Sequence, residues 1–367
     1  MKLDWLAWTG RGGGPDTPTG PSPSLPVENL YYLLCYAANR LEARDLIDID
    51  SLDGASPADL FTEILVAGLH RLRKRGSPRL YRTHTEDSSA PRGRIELSPT
   101  IARGLLPSGR VQCSIDELTA DIATNRALKA ACRILASKKE VTEERRRALR
   151  GHTVALGSVG DVPLTWELLT DAAREKHDGL TDLLISVCWL VQRAGLPRAT
   201  GTGHPFLDLG ADPSTFGHLF EAFVLGWLCL EQHTFGARKA QVPWLVEASA
   251  TDLAMLPSME GDILLSDATA RYLIECKAYG QTLSSHRGSA KVRSNHIYQL
   301  HTYLAHLSRD GGPPVTGILL YARAEADLDL RWHLGDHDIW VRTLDLGRPW
   351  QEIDRALRGL VERCAGG

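Results

Sequence analysis

Apolar and polar residues recur along this chain with two different periods, and the change of period marks where helices give way to strands. From Val27 to Leu41 the stretch ENLYYLLCYAANRL spaces its apolar residues as a helix does, with an Asn near its start; it predicts a first helix with a mostly buried face. Leu60, Ile64, Leu65, Ala67 and Leu72 predict a second helix from about Pro57 to Arg75, stopped by Gly76 and Pro78 and ending in the basic run Arg71, Arg73, Lys74, Arg75. Between Leu80 and Ile115 the period shortens to alternation in YRTHTED, GRIELS and RVQCSID, which suits short strands of a small sheet. Helical spacing returns from Leu118 to Lys138, and the charged run from Lys138 to Arg150 is expected to prolong that helix as a solvated face. Two more helices are expected at Trp166 to Ala173 and Leu180 to Gln192. After the Pro and Gly clusters of 195–212, an apolar helix from Thr215 leads to a strand-rich block at 240–278, a helix at Asn295 to Arg309 and a strand at Val315 to Tyr321.

This order predicts an α+β to α/β protein: a mixed helix and small-sheet domain over 25–200 and an α/β domain with one mixed sheet over 201–367. Residues 1–24, rich in Gly, Pro, Thr and Ser, are expected to be a disordered leader.

Composition sharpens the picture in three places. An apolar fraction of 43% and a charged fraction of 24% are enough to fill cores and exclude global disorder. A net charge of -3 argues against non-specific coating of nucleic acid, so any DNA contact has to come from local basic clusters. The 7 cysteines are scattered without a CxxC pair, which excludes a zinc site of ordinary spacing and suits a reducing, cytoplasmic compartment. No apolar run of about 18 residues offers a membrane span.

The candidate chemistry lies in EGDILLSDATARYLIECKAY, residues 260–279, which reads as a β-hairpin turning near Asp267 to Ala270. A turn centred between Ala268 and Thr269 places Asp262 across from Glu275. Lys277, two residues beyond Glu275, shares its face, while Ile274 and Cys276 face the opposite side. Two carboxylates that meet on apolar strands repel one another unless a cation binds between them, and oxygen ligands select Mg2+ first and Mn2+ second. Such a site suits phosphodiester hydrolysis, with Lys277 positioning water or stabilising charge on phosphorus. Glu221, in LFEAFV, is a candidate third metal ligand from the preceding helix. Asn295, Gln299 and Tyr303 are spaced by four on the following helix and are candidates to touch DNA or the attacking water. The loop QTLSSHRGSAKVRSNH adds Arg287, Lys291 and Arg293 as phosphate contacts. The same spacings also fit a surface salt bridge on an edge hairpin, an exposed helical Glu and an ordinary surface loop.

Together, Glu221, Asp262, Glu275-Cys276-Lys277, Gln299 and Tyr303 resemble the PD-(D/E)xK nuclease superfamily. The wider stretches LPVENLYYLLCYAANRL, RGRIELSPTI, DELTADIATNRALKAA, LPSMEGDILL and HIYQLHTYLAHL resemble the McrC family, the nuclease subunit of McrBC-type restriction systems, from about Leu25 to the C-terminus. The resemblance implies a restriction-endonuclease-like fold for the C-terminal domain, double-stranded DNA as substrate, and a McrB-like AAA+ GTPase ring that recognises modified cytosine and binds GTP. This chain has no GxxxxGK[ST] motif with which to bind GTP itself. It also implies that the N-terminal domain docks on the ring, with Arg92, Arg94, Asn125 and Arg126 as candidate contacts, and a double-strand cut would pair two nuclease subunits. The leader has no counterpart in the family pattern, and Glu275 stands where many relatives carry Asp, which moves the carboxylate outward by roughly 1.5 Å. Two other readings fit the sequence: a non-catalytic activator of the ring, and a stand-alone repair nuclease, for which no strongly basic DNA-binding module is visible.

Overall fold

A computed structural model describes residues 25–38, 46–48, 52, 55–194, 213–244, 246, 249–253, 255–278, 283–286, 289–322 and 326–366. The expected leader and the expected boundary near residue 200 therefore lie outside the described residues.

The N-terminal half is mostly helical. Helix α1 (Val27–Ala37) is followed by α2 (Pro57–Arg75), whose start is fixed by a reciprocal cap. Ser56 Oγ accepts from the Asp59 N–H at 3.2 Å and the Asp59 carboxylate accepts from the Ser56 N–H at 3.4 Å, with Pro57 preset for the first turn. The chain leaves α2 through Gly76 at φ 96°, a conformation that side chains disfavour. It then builds a three-stranded sheet from β1 (Leu80–Ser88), β2 (Arg94–Ile95) and β3 (Val111–Thr119), with α3 (Leu97–Ala102) between the last two. Helices α4 (Ala123–Ala136), α5 (Glu143–Ala155), α6 (Trp166–Arg174) and α7 (Gly179–Ala194) complete this half.

The expectation of one helix running from 118 through the charged segment is corrected. Leu118 belongs to β3, and the chain breaks after α4, where the Ser137 and Lys138 N–H groups close on Ile134 and Leu135. The break lets α5 fold back, burying Leu149 and bringing Arg145 onto Asp59 and Glu63 of α2, both at 3.0 Å. Part of the supposed solvated face is thus an inter-helix ion-pair network.

The C-terminal half contains α8 (Pro213–Glu231), β4 (Gly236–Val242), α9 (Ala250–Leu253), β5 (Met259–Ser266), β6 (Arg271–Lys277), β7 (Leu283–His286), β8 (Ser289–Val292), α10 (Ser294–Leu307), β9 (Val315–Ala322), β10 (Asp329–Leu334), β11 (His337–Leu344) and α11 (Trp350–Gly366). Six strands form one mixed sheet in the order β10-β11-β9-β6-β5-β4, parallel across β11, β9 and β6 and antiparallel elsewhere. One face, with Ile263, Leu265, Ile274, Cys276 and Ile318, packs on α8 and α11; the other, with Leu264, Leu273 and Leu319, packs on Leu300, Leu304 and Leu307 of α10.

Helix α1, grouped by sequence with the N-terminal domain, packs on this C-terminal half. Tyr32 and Tyr36 stack on Trp350 at ring separations of 4.5 and 5.2 Å, and Asn29 Nδ2 donates to the Leu346 and Arg348 carbonyls at 2.7 and 2.8 Å. Gly226 makes room for the helix: a Cβ there would stand 2.0 Å from the Tyr36 carbonyl oxygen. Among the described residues no helix is long and apolar enough to cross a membrane.

Candidate active site

The hairpin of β5 and β6 forms in the expected register. Asp267 Oδ1 holds the turn by accepting from the Thr269 and Ala270 N–H groups at 2.7 and 2.8 Å, and Ser266 pairs with Arg271 through to Ile263 with Ile274. Beyond Ile263 the ladder between these strands stops, and two carboxylates take over its backbone donors. The Cys276 N–H donates to Asp262 Oδ2 at 2.7 Å, and the Asp262 N–H donates to Glu275 Oε1 at 3.2 Å. Strand β6 meanwhile keeps pairing with β9 as far as Lys277 opposite Tyr321. The sheet therefore opens at one point, and Asp262 and Glu275 stand there together.

A β-bulge accounts for the opening. Arg238 pairs with Leu264 but Ala240 pairs with Gly261, so Lys239 of β4 faces two residues of β5, Asp262 and Ile263. The absence of a side chain at Gly261 also matters, because a Cβ there would lie 3.1 Å from Glu275 Oε1.

Glu275 is 1% exposed. Burial, and then the charge of Asp262, push its carboxyl up to about 7, against the opposing pull of Lys277. Lys277 Nζ donates to Glu275 Oε2 at 2.9 Å and to Gln299 Oε1 at 3.1 Å, while Gln299 Nε2 donates to the Tyr303 hydroxyl at 3.2 Å. The fixed direction of the Gln299 amide thus makes it an acceptor for Lys277. On the other side of the sheet, burial raises the Cys276 thiol well above its usual value, and the charges of Asp262, Glu221 and Glu275 raise it further.

The expected residues are placed as follows. Asp262, Glu275, Lys277 and Gln299 form one connected cluster. Tyr303 joins it through Gln299, rather than lying with Asn295 on an outward polar face; the exposed side of α10 carries Asn295, Tyr298 and Thr302. Glu221, the candidate third ligand, is paired with Lys239, its Oε1 2.5 Å from Nζ in an ion pair that lacks hydrogen-bond alignment. Among the described residues no group of three or more His, Cys, Asp and Glu is arranged to hold a metal ion. The segment expected to be a loop contains the two-stranded hairpin β7–β8; the exposed Lys291 is on β8, and the half-buried Arg293 follows it at the start of α10. Arg287 lies outside the described residues.

Two of the four expected partner contacts are internal. Asn125 is 1% exposed and donates to the Pro78 and Ala120 carbonyls at 2.9 and 2.8 Å, tying the start of β1 to α4. Arg126 grips Asp121 through two bonds of 2.7 and 2.6 Å, which holds that carboxyl down at about 2. Arg92 and Arg94 are 73% and 79% exposed, each with a single acidic neighbour, Glu86 and Glu96. Lys239 was missed by the sequence reading, since nothing in a two-residue period announces the bulge that brings it to Asp262.

The family described as McrBC 5-methylcytosine restriction system component matches residues 27–322. The chain belongs to this family. It is 26% identical over 341 residues to the Type IV methyl-directed restriction enzyme EcoKMcrBC of Escherichia coli (strain K12), covering 93% of this chain and 98% of that protein. Among solved structures it is similar to the refined half-complex from the tetradecameric assembly of Thermococcus gammatolerans McrB AAA+ hexamers with bound McrC, at 14% identity and a TM-score of 0.46 over 92% of this chain and 76% of that one. It is also similar to the Thermococcus gammatolerans McrBC complex, at 18% identity and a TM-score of 0.37 over 46% and 52%. Membership in the McrBC family spans both halves of the molecule, the small exposed sheet as well as the carboxylate cluster.

Proposed function

We propose that this chain is the nuclease subunit of a modified-cytosine-directed restriction complex, cutting DNA phosphodiesters at Asp262, Glu275 and Lys277 while a McrB-like AAA+ ring binds and hydrolyses GTP. The observation that carries the reading is the cluster itself: a buried carboxylate held against a second one, with an ammonium 2.9 Å away. Burying two acids together costs stability unless a cation compensates them, and their oxygens suit a hard ion, so Asp262 and Glu275 would hold Mg2+ or Mn2+. A divalent ion bound there polarises the phosphodiester and acidifies water.

Lys277, fixed between Glu275 and Gln299, presents positive charge where the phosphorane becomes more negative. Its aim is set before substrate arrives, so little reorganisation is needed in the transition state. Lys291, Arg293 and Asn295, just before and at the start of α10, supply contacts to the phosphate backbone that carry no sequence preference. Arg92 and Arg94 on the small sheet face the partner ring, and two nuclease subunits would together cut both strands.

The test is cleavage of methylated and unmethylated plasmid with Mg2+, GTP and the cognate AAA+ protein, using wild type and Lys277→Ala. Cutting that requires both proteins, GTP and Lys277 is expected. Stimulated GTP hydrolysis with no cutting by the wild type would overturn the reading and leave an activator.

A further inference from the structure

The basic run at the end of α2 takes no part in the carboxylate cluster, and the fold brings cations from two other segments to it. Arg75 of that run, Arg79 from the link into β1 and Lys176 from the link between α6 and α7 line one cavity of about 250 Å3, together with Gly76, Pro78 and Thr181. All three cations are exposed, and none makes an ion pair or a side-chain hydrogen bond among the described residues. In the same half Arg92, Arg94, Arg103, Arg126 and Arg145 each hold an acid. The acids that line the cavity are engaged with helix starts instead. The Glu175 carboxylate accepts from the Ala123 and Thr124 N–H groups of α4 at 3.0 and 3.1 Å, and Asp178 accepts from the Thr181 N–H and hydroxyl of α7 at 2.9 and 2.7 Å. The buried His177 ring is likewise tied to Thr124 and Asp182, at 2.6 and 3.1 Å. Cations at a helix C-terminus stabilise the helix by themselves, which accounts for Arg75 but not for Arg79 or Lys176.

We propose that Arg75, Arg79 and Lys176 grip the phosphate backbone of double-stranded DNA, a contact on the N-terminal half separate from the hydrolytic cluster. This inference rests on the proposed nuclease only in taking DNA as the ligand. At a net charge of -3 attraction to DNA has to be local, and unpaired cations around one concavity supply it. Guanidinium forks match phosphate oxygens in geometry as well as charge. Lys74, exposed and also without an ion pair among the described residues, extends the patch from the same last turn of α2. Contacts of this kind read charge and not bases, so binding should not depend on sequence or methylation.

The experiment follows fluorescence anisotropy of a labelled, unmethylated duplex titrated with the full chain in EDTA, over a range of salt concentrations. Replacing Arg75, Arg79 and Lys176 together by Gln should weaken binding on the order of a hundred-fold at about 0.1 M salt and flatten the slope of log Kd against log salt by about two to three. Each single variant should flatten it by about one, which keeps the test intact if the triple variant is unstable by circular dichroism. Arg75→Lys with Arg79→Lys, which keeps the charge, should bind within about three-fold of wild type. No binding of the duplex by wild type, or unchanged affinity and slope in the Gln variants, would sink the proposal. Displacement of the duplex by GTP at a concentration where sulfate of equal ionic strength has no effect would assign the cavity to a free nucleotide instead. Loss of stimulated GTP hydrolysis by the partner, with DNA binding intact, would assign the patch to the ring. Because EDTA prevents cutting, binding through the patch stands or falls independently of whether Asp262, Glu275 and Lys277 cleave.

Discussion

Glu275 and Gln299 both accept from Lys277, and the neutral one of this pair controls how well the ammonium is aimed. Glu275 Oε2 is a charged partner on the same strand, but it fixes only one direction of a flexible ammonium; Gln299, from across the sheet face, fixes the second. Gln299→Leu should therefore lower the cleavage rate by roughly a hundred-fold with little change in melting temperature, as expected for losing one preorganised contact to the charge-stabilising group. Tyr303→Phe removes only the acceptor that orients the Gln299 amide and should cost less, about three- to ten-fold. Single-turnover rates would rank the two, and the reverse order would show that Tyr303 meets DNA directly. A neighbouring buried group gives a pH signature of the fold. His296 packs against the Tyr321 hydroxyl at 2.7 Å, and burial first, then Lys277 and Arg293, push it down from 6.5 to about 3. The folded protein thus keeps a neutral ring where the unfolded chain takes up a proton. The stability this residue contributes is complete above pH 6.5 and is lost as pH falls toward 3, by roughly 1.4 kcal/mol per unit. Urea unfolding at about pH 7 and about pH 5.5 should show wild type losing roughly 1.4 kcal/mol more than His296→Gln. Parallel losses in the two proteins would mean that the ring is already charged in the folded state.

At the scale of elements, the joint between α1 and α8 admits no side chain at its crossing. Gly226→Ala would drive a methyl into the Tyr36 carbonyl, and both partners are helix backbone, so relief requires the helices to separate. The loss should reach about 3 kcal/mol or more. Gly217→Ala, on the same helix with nothing within 4 Å, should be neutral or stabilising by up to about 1 kcal/mol, and chemical denaturation of both variants tests the contrast. This joint was only half legible in the sequence: the mostly apolar spacing of α1 showed that it is buried, but not against what. The hairpin was fully legible, because Asp262 and Glu275 sit symmetrically about a turn whose Asp and Thr announce it, and period-two arithmetic then fixes Lys277. The same arithmetic fails one strand away. A bulge adds a residue without any compositional mark, so Lys239 stayed hidden. The break between α4 and α5 was hidden for a related reason: Lys, Glu and Arg favour helix throughout, and the turn is chosen by Leu149 and Arg145 finding α2.

At the scale of the whole molecule, the two halves divide buried from exposed chemistry. The C-terminal half draws its charges inward to one opening of the sheet, whereas β1, β2, β3 and α3 turn apolar and basic groups outward, with Tyr81, Leu97 and Ile101 exposed by 75%, 64% and 65%. A net charge of -3 gives the chain no overall attraction for DNA, so the cutting proposed above would depend on delivery to it. If a partner ring delivers the chain, this outward sheet is the surface proposed to meet it, and Asn125 of α4 and the two arginines beside and on β2 separate two effects. Asn125 bridges two carbonyls inside the protein, so Asn125→Ala should cost about 2–3 kcal/mol of stability by leaving them unsatisfied. Arg92 and Arg94 are themselves exposed, and their ion pairs with Glu86 and the half-buried Glu96 lie at the surface, so Arg92→Glu with Arg94→Glu should leave the melting temperature nearly unchanged. If the sheet is the docking surface, that double variant should instead lose most of its stimulation of the partner's GTP hydrolysis, and with it cleavage, while still binding Mn2+ as wild type does. Full stimulation by the double variant would move the docking surface away from these arginines, and a large fall in melting temperature would show that their ion pairs support the fold.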